Sequence, residues 1–324
     1  MSLAFDCGVD VAVVRAGVLA REVCRREGRG EVAALFERSL YLHVGEDFIC
    51  IGEPAIGNGP TTLIIAARVA ALGLRRGARA FISNGRMAVG DLLFDLRNCA
   101  PWCAPPWPAA SAALSDTCAK IAQRAAAESP ADSLACAVFG TVDTPLARLA
   151  RPRVVAFASW LSASLRPLSP PYGPLSRGMT RGEIAAHPAA HLIGLGPGLT
   201  PSGDDFLIGA LAMLDAMEQT HMHAALGGAV VAAAGRTSPL SASFLRAAAA
   251  GHVGENLHAT IAAIVTADAD AGIAAAARIG HTSGWDALAG AVVTVARMRE
   301  AACGASTPGC RASRSSGLRQ NHRC

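Results

Sequence analysis

Residues 194 to 214 read GLGPGLTPSGDDFLIGALAML, and this stretch decides how the C-terminal half of the chain folds. Its first part combines glycine, proline and hydroxyl side chains, which favour a loop. Its second part, from Phe206, is apolar all round, and a helix with that pattern is buried. We therefore expect a glycine-rich loop that leads into a buried helix, with Asp204 and Asp205 at the junction.

A copy of this motif follows 81 residues later. SGDDFLIGA, residues 202 to 210, and SGWDALAGA, residues 283 to 291, share the pattern SGxDxLxGA. In each copy a serine precedes an aspartate by three positions, which is typical of a capping box at a helix start. The simplest interpretation makes Asp205 and Asp286 caps of two buried helices.

The two helix starts are expected to face one cleft. Gly209 and Gly290 lie four residues after their aspartates, on the same helix face, and allow another backbone to come close. A helix start offers unpaired N–H groups and a partial positive charge, which suits an anion. The candidate binding residues of the two starts are Gly196, Gly198, Thr200, Ser202, Gly203, His281, Thr282, Ser283 and Gly284.

Asp204 adds a second carboxylate where one capping acid is enough, so it needs a partner that balances its charge. Three roles fit: a magnesium ligand, a clamp for an arginine such as Arg236, or an acceptor for an amide substrate. We favour the last two roles, because two carboxylates alone specify a metal weakly.

A third element lies between the copies, in RTSPLSASFLRAAAAGHVGENL, residues 236 to 257. Thr237 or Ser238 is the expected N-cap, Pro239 takes the first helical position, and Gly251 ends the helix before another begins at Glu255. The hydroxyl-rich start is either a further helix cap or a third wall of the site.

The remaining chain predicts an α+β fold with a mixed, strand-containing N-terminal part and a mainly helical C-terminal part. Valine spacing predicts a helix within residues 10–27, and turn residues predict short strands between 40 and 96, with a hairpin around Gly45. Residues 109–130 predict a helix and 133–140 a strand.

We divide the chain into three parts on this basis. Residues 1–108 are the mixed domain, and residues 109–300 are the helical domain, which includes a loop rich in proline and serine at 166–178. Residues 301–324 are expected to be a disordered basic tail, since they lack apolar periodicity.

Composition excludes several classes of protein. Hydrophobic residues make up 52%, charged residues 17%, and the mean hydropathy is +0.33, which excludes disorder for most of the chain. Apolar runs are too short to span a membrane and no secretory signal is visible, so we expect a cytoplasmic protein with no membrane partner. The net charge of +4 equals that of four arginines in the tail, which argues against a nucleic-acid surface.

Other chemistry-bearing motifs are weak. Cys99 and Cys103 have no second pair to complete a zinc site, and HMH at 221–223 is typical of a solvated helix end. The glycine loop lacks the following GKS or GKT of a phosphate-binding Walker loop and the spacing of a dinucleotide fingerprint. His281, Ser283 and Asp286 suggest a hydrolase triad only superficially, because no GxSxG elbow occurs.

Three segments together resemble the signature of the AllH-like family: GLGPGLTPSGDDFLIG, RTSPLSASFLRAAAAG and GHTSGWDALAG, within residues 190–295. The named member of that family is a subunit of bacterial oxamate carbamoyltransferase. The resemblance implies conversion of oxalurate and phosphate to oxamate and carbamoyl phosphate, in purine and allantoin breakdown. It also implies two partner subunits, with a ureide, phosphate or carbamoyl phosphate as small-molecule ligands.

On this hypothesis the main chain of residues 196–203, with Thr200 and Ser202, binds phosphate or an oxyanion. Asp204 or Asp205 orients the carbamoyl NH₂ group or receives its proton, and the copy around Ser283 completes the pocket. The candidate catalytic residues are Asp204, Asp205 and Asp286, with Arg236 and Ser238 among the binding residues.

Three alternatives stay open from the sequence. In the first, the chain is a non-catalytic scaffold or regulatory subunit. In the second, it is an amidohydrolase or ligase of small ureides that uses Mg²⁺ bound by Asp204 and Asp205. Mg²⁺ is the one cofactor that the sequence suggests. A nucleic-acid-binding module is the most distant alternative.

Overall fold

The computed structural model describes residues 8–140, 143–165 and 180–305. The predicted loop at 166–178 and the tail beyond residue 305 lie outside these described ranges. Strands form much of the described chain up to Trp102 and helices form most of the rest, so the predicted α+β class is confirmed. The predicted domain bounds stay a prediction.

Ten strands of the N-terminal part form one sheet, with the order β1-β9-β8-β7-β3-β4-β5-β6-β2-β10. Most neighbouring pairs are antiparallel, whereas β1–β9, β5–β6 and β2–β10 are parallel. The strands are β1 (Val9–Val11), β2 (Val13–Gly17), β3 (Gly28–Leu35), β4 (Ser39–Val44), β5 (Asp47–Gly52), β6 (Thr62–Ile65), β7 (Arg79–Ser83), β8 (Arg86–Val89), β9 (Leu92–Asp95) and β10 (Ala100–Trp102).

The sheet curves round so that its two ends approach each other. β1 stands at one end of the strand order and β2 stands next to the other end, yet Ala12 alone separates them in the chain. One residue spans less than about 4 Å, so the two ends of the sheet must lie close together. Helix α1 (Val18–Arg25) follows β2 and packs on the sheet with Ala20, Val23 and Cys24 buried.

Two predictions for this part had different outcomes. The hairpin is confirmed, since β4 and β5 pair through a turn in which Gly45 has a φ of 62°. The helix over residues 10–27 is wrong before Val18, because Val9 to Gly17 pairs with three other strands. The valine spacing fitted a helix, but long-range strand pairing decides the local structure.

Helices form most of the described chain from Leu114 onward. None of them combines the length and the hydropathy needed to span a bilayer. They are α2 (Leu114–Glu128), α3 (Leu134–Phe139), α4 (Pro145–Ser164), α5 (Arg181–Ala186), α6 (Ser202–Ala216), α7 (Thr220–Ala233), α8 (Pro239–Ala249), α9 (Glu255–Val265), α10 (Ala269–Ala276) and α11 (Ser283–Ala305).

Most helix predictions are confirmed, and two need correction. α2 ends just before Pro130, and α8 and α9 begin at the predicted residues. The predicted strand at 133–140 is instead α3, whose N-cap residue Ser133 accepts a hydrogen bond from the amide of Cys136. Residues 301–305, assigned to the tail, continue α11.

The strand-rich and helical parts have separate hydrophobic clusters. After β10, the Trp107 indole donates a hydrogen bond of 2.7 Å to Asp215 and stacks on His258 with 4.2 Å between ring centroids. Between β5 and β6, the amide and the side chain of Asn58 both donate to Glu255, at 2.8 and 2.7 Å. The segments that connect and follow the strands therefore contact α6 and α9 through specific polar contacts.

Candidate functional site

The two copies of the repeat pack against each other with matching contacts. A Cβ atom added to Gly209 would lie 1.9 Å from the carbonyl oxygen of Ala287, and one added to Gly290 would lie 1.9 Å from that of Phe206. Phe206 and Ala287 are themselves equivalent positions, 81 residues apart. Helices α6 and α11 are therefore related by an approximate two-fold axis, and backbone touches backbone at both glycines.

Ser202 and Ser283 affect the carboxyl groups of the opposite copy across this axis. α6 begins at Ser202, its N-cap position is Pro201, and no side chain caps it, so the capping-box interpretation is wrong for this helix. Instead, the hydroxyl of Ser202 lowers the pKa of Asp286 in the other copy, and the hydroxyl of Ser283 lowers the pKa of Asp205, both against a larger effect of burial.

Asp204, Asp205 and Asp286 are the charged side chains that the described residues bury, and no lysine or arginine is buried with them. Burial is the largest cause of a raised pKa in all three carboxyl groups. The pKa of Asp286 rises to about 7, and that of Asp205 rises well above its ordinary value, helped by the charges of Asp286 and Asp204. The site therefore favours neutral carboxylic acids.

Asp204 holds three segments together. Its Oδ1 accepts a hydrogen bond of 2.8 Å from the amide of Gly194, while its Oδ2 accepts from the hydroxyls of Thr237 and Ser241, the latter at 2.7 Å. Asp204 does not clamp Arg236, as one of its three expected roles required. The side chain of Arg236 is exposed, and within the described ranges it forms no ion pair with Asp204.

Asp286 also has a structural partner. Its Oδ1 accepts hydrogen bonds from the amides of Leu134 at 2.5 Å and Ala135 at 3.3 Å, in the first turn of α3. It is therefore a helix cap, as one interpretation of the sequence expected, but of a different helix.

Asp205 differs from both neighbours in its partners. The hydroxyls of Ser283 and Thr200 lie beside its carboxyl group, but Oδ2 is buried and has no hydrogen-bond partner among the described residues. Oδ2 of Asp286 is also buried and without a hydrogen-bond partner among the described residues, although Oδ1 accepts a hydrogen bond from α3. Of the three carboxyl groups, that of Asp205 has the most hydrogen-bonding capacity left for a ligand.

The glycine loop before α6 has free backbone donors. Within the described chain, the amides of residues 196, 198, 199, 200 and 202 donate no hydrogen bond, while Pro197 and Pro201 have no N–H group. Gly196 and Gly198 have φ of 113° and 94°, which other residues rarely adopt. Such a loop at a helix start can surround an anion with N–H groups.

The third element of the sequence, the hydroxyl-rich start of α8, contacts the glycine loop before α6. It thus forms a wall of the site, which is one of its two expected roles. Ser238 is the N-cap of α8, accepting from the amide of Ser241, and its hydroxyl donates to the carbonyl oxygen of Leu199. The hydroxyls of Thr200 and Ser283 lie 3.2 Å apart and join the loop to the second copy.

The second copy contributes fewer site residues than expected. Its loop is three residues shorter, since Gly203 bonds back to Leu195, whereas Gly284 bonds back to Ile279. His281 is exposed and lies 3.6 Å from Asp132, on the outer side of the loop.

No group of three or more histidine, cysteine, aspartate or glutamate side chains in the described ranges is arranged to hold a metal ion. Asp204 and Asp205 do not fit a magnesium site as a pair, since both oxygens of Asp204 accept hydrogen bonds from N–H and O–H groups.

The sequence did not predict which residues outside the two copies interact with the buried carboxyl groups. Burial raises the pKa of Tyr41 on β4 well above its ordinary value, with smaller contributions from Cys50 and then from the charge of Asp205. Thr237 and Ser241 were also missed as partners of Asp204, although both stand in the hydroxyl-rich start of α8. Tyr41 has no distinguishing sequence signal, because it looks like any alternating residue of a hairpin.

Two family models match the chain. The one described as oxamate carbamoyltransferase subunit AllH matches residues 192–295, and the one described as AllH family N-terminal domain matches residues 10–101. The first match contains both copies of the repeat and α8, and the second contains nearly all of the sheet. No curated protein and no solved structure matches the chain.

Proposed function

Because the chain belongs to the AllH family, we propose that it is a subunit of a carbamoyltransferase that converts oxalurate and phosphate to oxamate and carbamoyl phosphate. The observation that carries this proposal is the position of Asp205. It is a buried carboxyl group with an unpartnered oxygen, beside a loop whose amides are free to bind an anion. We infer that it works with two partner subunits in the cytoplasm, in the breakdown of purines and allantoin.

The proposed reaction needs both the carboxyl group of Asp205 and the free amides of the loop. A phosphate oxygen forms a bond to the carbamoyl carbon, the bond from that carbon to the oxamate nitrogen breaks, and the nitrogen takes up a proton. The free amides of the loop suit the phosphate and the oxyanion of the tetrahedral intermediate. An amide nitrogen is a very basic leaving group, so the reaction needs an acid at this position.

Asp205 suits that acid. Burial raises its pKa well above the ordinary value, which favours the protonated form, and a protonated carboxyl group can lie beside a bound anion and donate a proton to the departing nitrogen. The attacking phosphate, in its monohydrogen form, loses a proton that restores the acid. In the reverse direction the same carboxyl receives the proton of the oxamate amide.

One observation favours the competing hypothesis of a non-catalytic subunit. Two of the three buried carboxyl groups, Asp204 and Asp286, have structural partners, and the site contains no buried cation within the described residues. Partner subunits would then supply the reacting groups, and Asp205 would only support the loop.

The test is phosphate-dependent formation of carbamoyl phosphate from oxalurate, measured with this chain alone and with its two candidate partner subunits. Activity in the mixture supports the carbamoyltransferase. If folded and associated subunits form no carbamoyl phosphate in any combination, the proposed reaction is wrong.

A further inference from the structure

A cavity of about 410 Å³ lies on the strand-rich part of the chain, and three arginines line it. Arg21 and Arg25 belong to α1, whereas Arg97 follows β9. The described residues that line the cavity include no aspartate or glutamate; besides the arginines they are Asn84, Gly85 and Leu96. The cavity is therefore basic, and none of its lining residues belongs to the site around Asp205.

Backbone hydrogen bonds hold the three segments around the cavity together. The amide of Gly85, in the turn between β7 and β8, donates to the carbonyl oxygen of Cys24 at 2.9 Å. The amide of Leu96 donates to the carbonyl oxygen of Gly85, also at 2.9 Å. Cys24 stands next to Arg25, and Leu96 stands next to Arg97. The arginines on the two sides of the cavity therefore extend from a backbone that is already fixed.

Positive charge exceeds negative charge around this cavity. Asp95 is the acidic partner of both Arg86, at 3.3 Å, and Arg97, whose Nε donates to it at 2.9 Å. Within the described ranges, neither Arg21 nor Arg25 forms an ion pair. Four guanidinium groups around one carboxylate leave three positive charges without a partner.

The two arginines of α1 are placed where an anion can lie between them. Arg21 is half-buried, and its Nη1 donates to the carbonyl oxygen of Cys99 at 2.9 Å. Arg25 follows one helical turn later on the same face, and like charges at this spacing destabilise a helix. A bound anion removes this repulsion, because it balances both charges.

We propose that this cavity binds a small anion with two linked phosphate groups, which is either inorganic pyrophosphate or the diphosphate of a nucleotide. Guanidinium groups suit phosphate oxygens, since two parallel N–H groups can donate to them. One phosphate group carries about two negative charges at neutral pH, so two linked groups balance three positive charges better than one. The inference goes beyond the proposed function, because it gives the strand-rich part a ligand of its own.

The test is isothermal titration calorimetry of the full chain with inorganic pyrophosphate, in about 0.15 M salt so that exposed charges are screened. Arg25→Gln removes one charge of the cavity and breaks no ion pair of the described residues. We expect it to weaken pyrophosphate binding by about 10- to 100-fold, the loss of hydrogen bonds to a charged group. Arg97→Gln changes the opposite wall and should weaken binding to a similar degree.

The ligand source is tested by titration of ADP in the same way. Binding at least as tight as that of pyrophosphate identifies a nucleotide, and weaker binding identifies the inorganic ion. Inorganic phosphate should bind the cavity more weakly than either. These variants also separate the cavity from the glycine loop before α6, which contains neither arginine.

Arg299→Gln is the matched control, because it removes the same charge from an exposed position of α11. It should leave pyrophosphate binding within about twofold of the wild type, since exposed charges interact weakly. All three variants should keep the thermal unfolding temperature of the ligand-free wild type. If the wild type binds neither pyrophosphate nor ADP, or if Arg25→Gln and Arg97→Gln bind as Arg299→Gln does, the cavity is not a diphosphate site, and the proposed function is unaffected.

Discussion

Gly209 of α6 and Gly290 of α11 hold the two halves of the repeat at the same close approach, each with a carbonyl oxygen of the opposite helix where its Cβ would be. Both contacts are to backbone, which has no rotamer that can move away. The distance between the helices, and with it the position of Asp205 and Asp286, depends on these two residues.

Substitution of either glycine should destabilise the fold. We expect Gly209→Ala and Gly290→Ala each to lower the free energy of unfolding by about 1–3 kcal/mol or more, because the helices must separate. Gly182→Ala in α5 is the control, since its Cβ meets nothing within 4 Å. It should raise stability slightly, by about 0.4–1 kcal/mol, and chemical denaturation of the three variants measures the difference. Equal effects at all three positions would contradict the close packing.

Asp205→Asn should separate a catalytic role from a structural one. The substitution preserves shape and removes the proton donor, so we expect the rate of carbamoyl phosphate formation to fall by roughly 10²–10⁴-fold with the fold intact. Asp116→Asn removes an exposed carboxylate of α2 and should leave the rate unchanged. A rate near that of the wild type in Asp205→Asn would instead support the scaffold role.

The pKa of Asp286 predicts a pH dependence of stability. Its folded-state pKa of about 7 lies above the ordinary value near 4, so the folded protein binds more protons than the unfolded chain between these values. The contribution of Asp286 to stability is therefore full at low pH and is lost as the pH rises toward 7. We expect Asp286→Asn to reduce the fall in unfolding free energy between about pH 4 and pH 7.

Urea denaturation of Asp286→Asn at several pH values measures this effect, with Asp95→Asn as the control. Arg97 lowers the pKa of Asp95 to about 2, so Asp95 changes stability only at more acidic pH. If the unfolding free energies of the wild type and Asp286→Asn have the same slope between about pH 4 and pH 7, the pKa of Asp286 is not raised by folding, contrary to this prediction.

The hydrogen bonds of Asp204 should act as one unit. Asp204→Ala leaves an amide and two hydroxyls without their acceptor, and we expect a loss of about 3 kcal/mol. Thr237→Val and Ser241→Ala should each cost about 1 kcal/mol. Because both hydroxyls share one oxygen, the double variant should cost less than the sum of the two single variants. Additive losses in thermal or chemical unfolding would show that the two hydroxyls are independent.

Much of this fold was predictable because its signals are local. The glycine-rich loop, the all-apolar α6 and the Ser-Pro start of α8 each need only a few neighbouring residues, and all three are confirmed. α3 was mistaken for a strand, since part of what starts it is a carboxyl group about 150 residues away in the chain.

The pairing of the two serines with the opposite aspartates was also beyond prediction. Spacing of three residues fits a capping box as well as it fits any other use of Ser202 and Ser283. Only the two-fold packing of α6 and α11 decides between these uses, and it depends on the tertiary structure.

The single residue between β1 and β2 has a consequence for how the chain folds. These two strands find their partners in β9, β6 and β10, so the first described segment of the chain pairs with segments that extend to residue 102. Contacts between such distant segments form slowly, because a long loop must close before they gain any stability. The pairing of β1 and β2 with their partner strands is therefore expected to form late, after the β3–β4–β5 meander has formed from neighbouring residues.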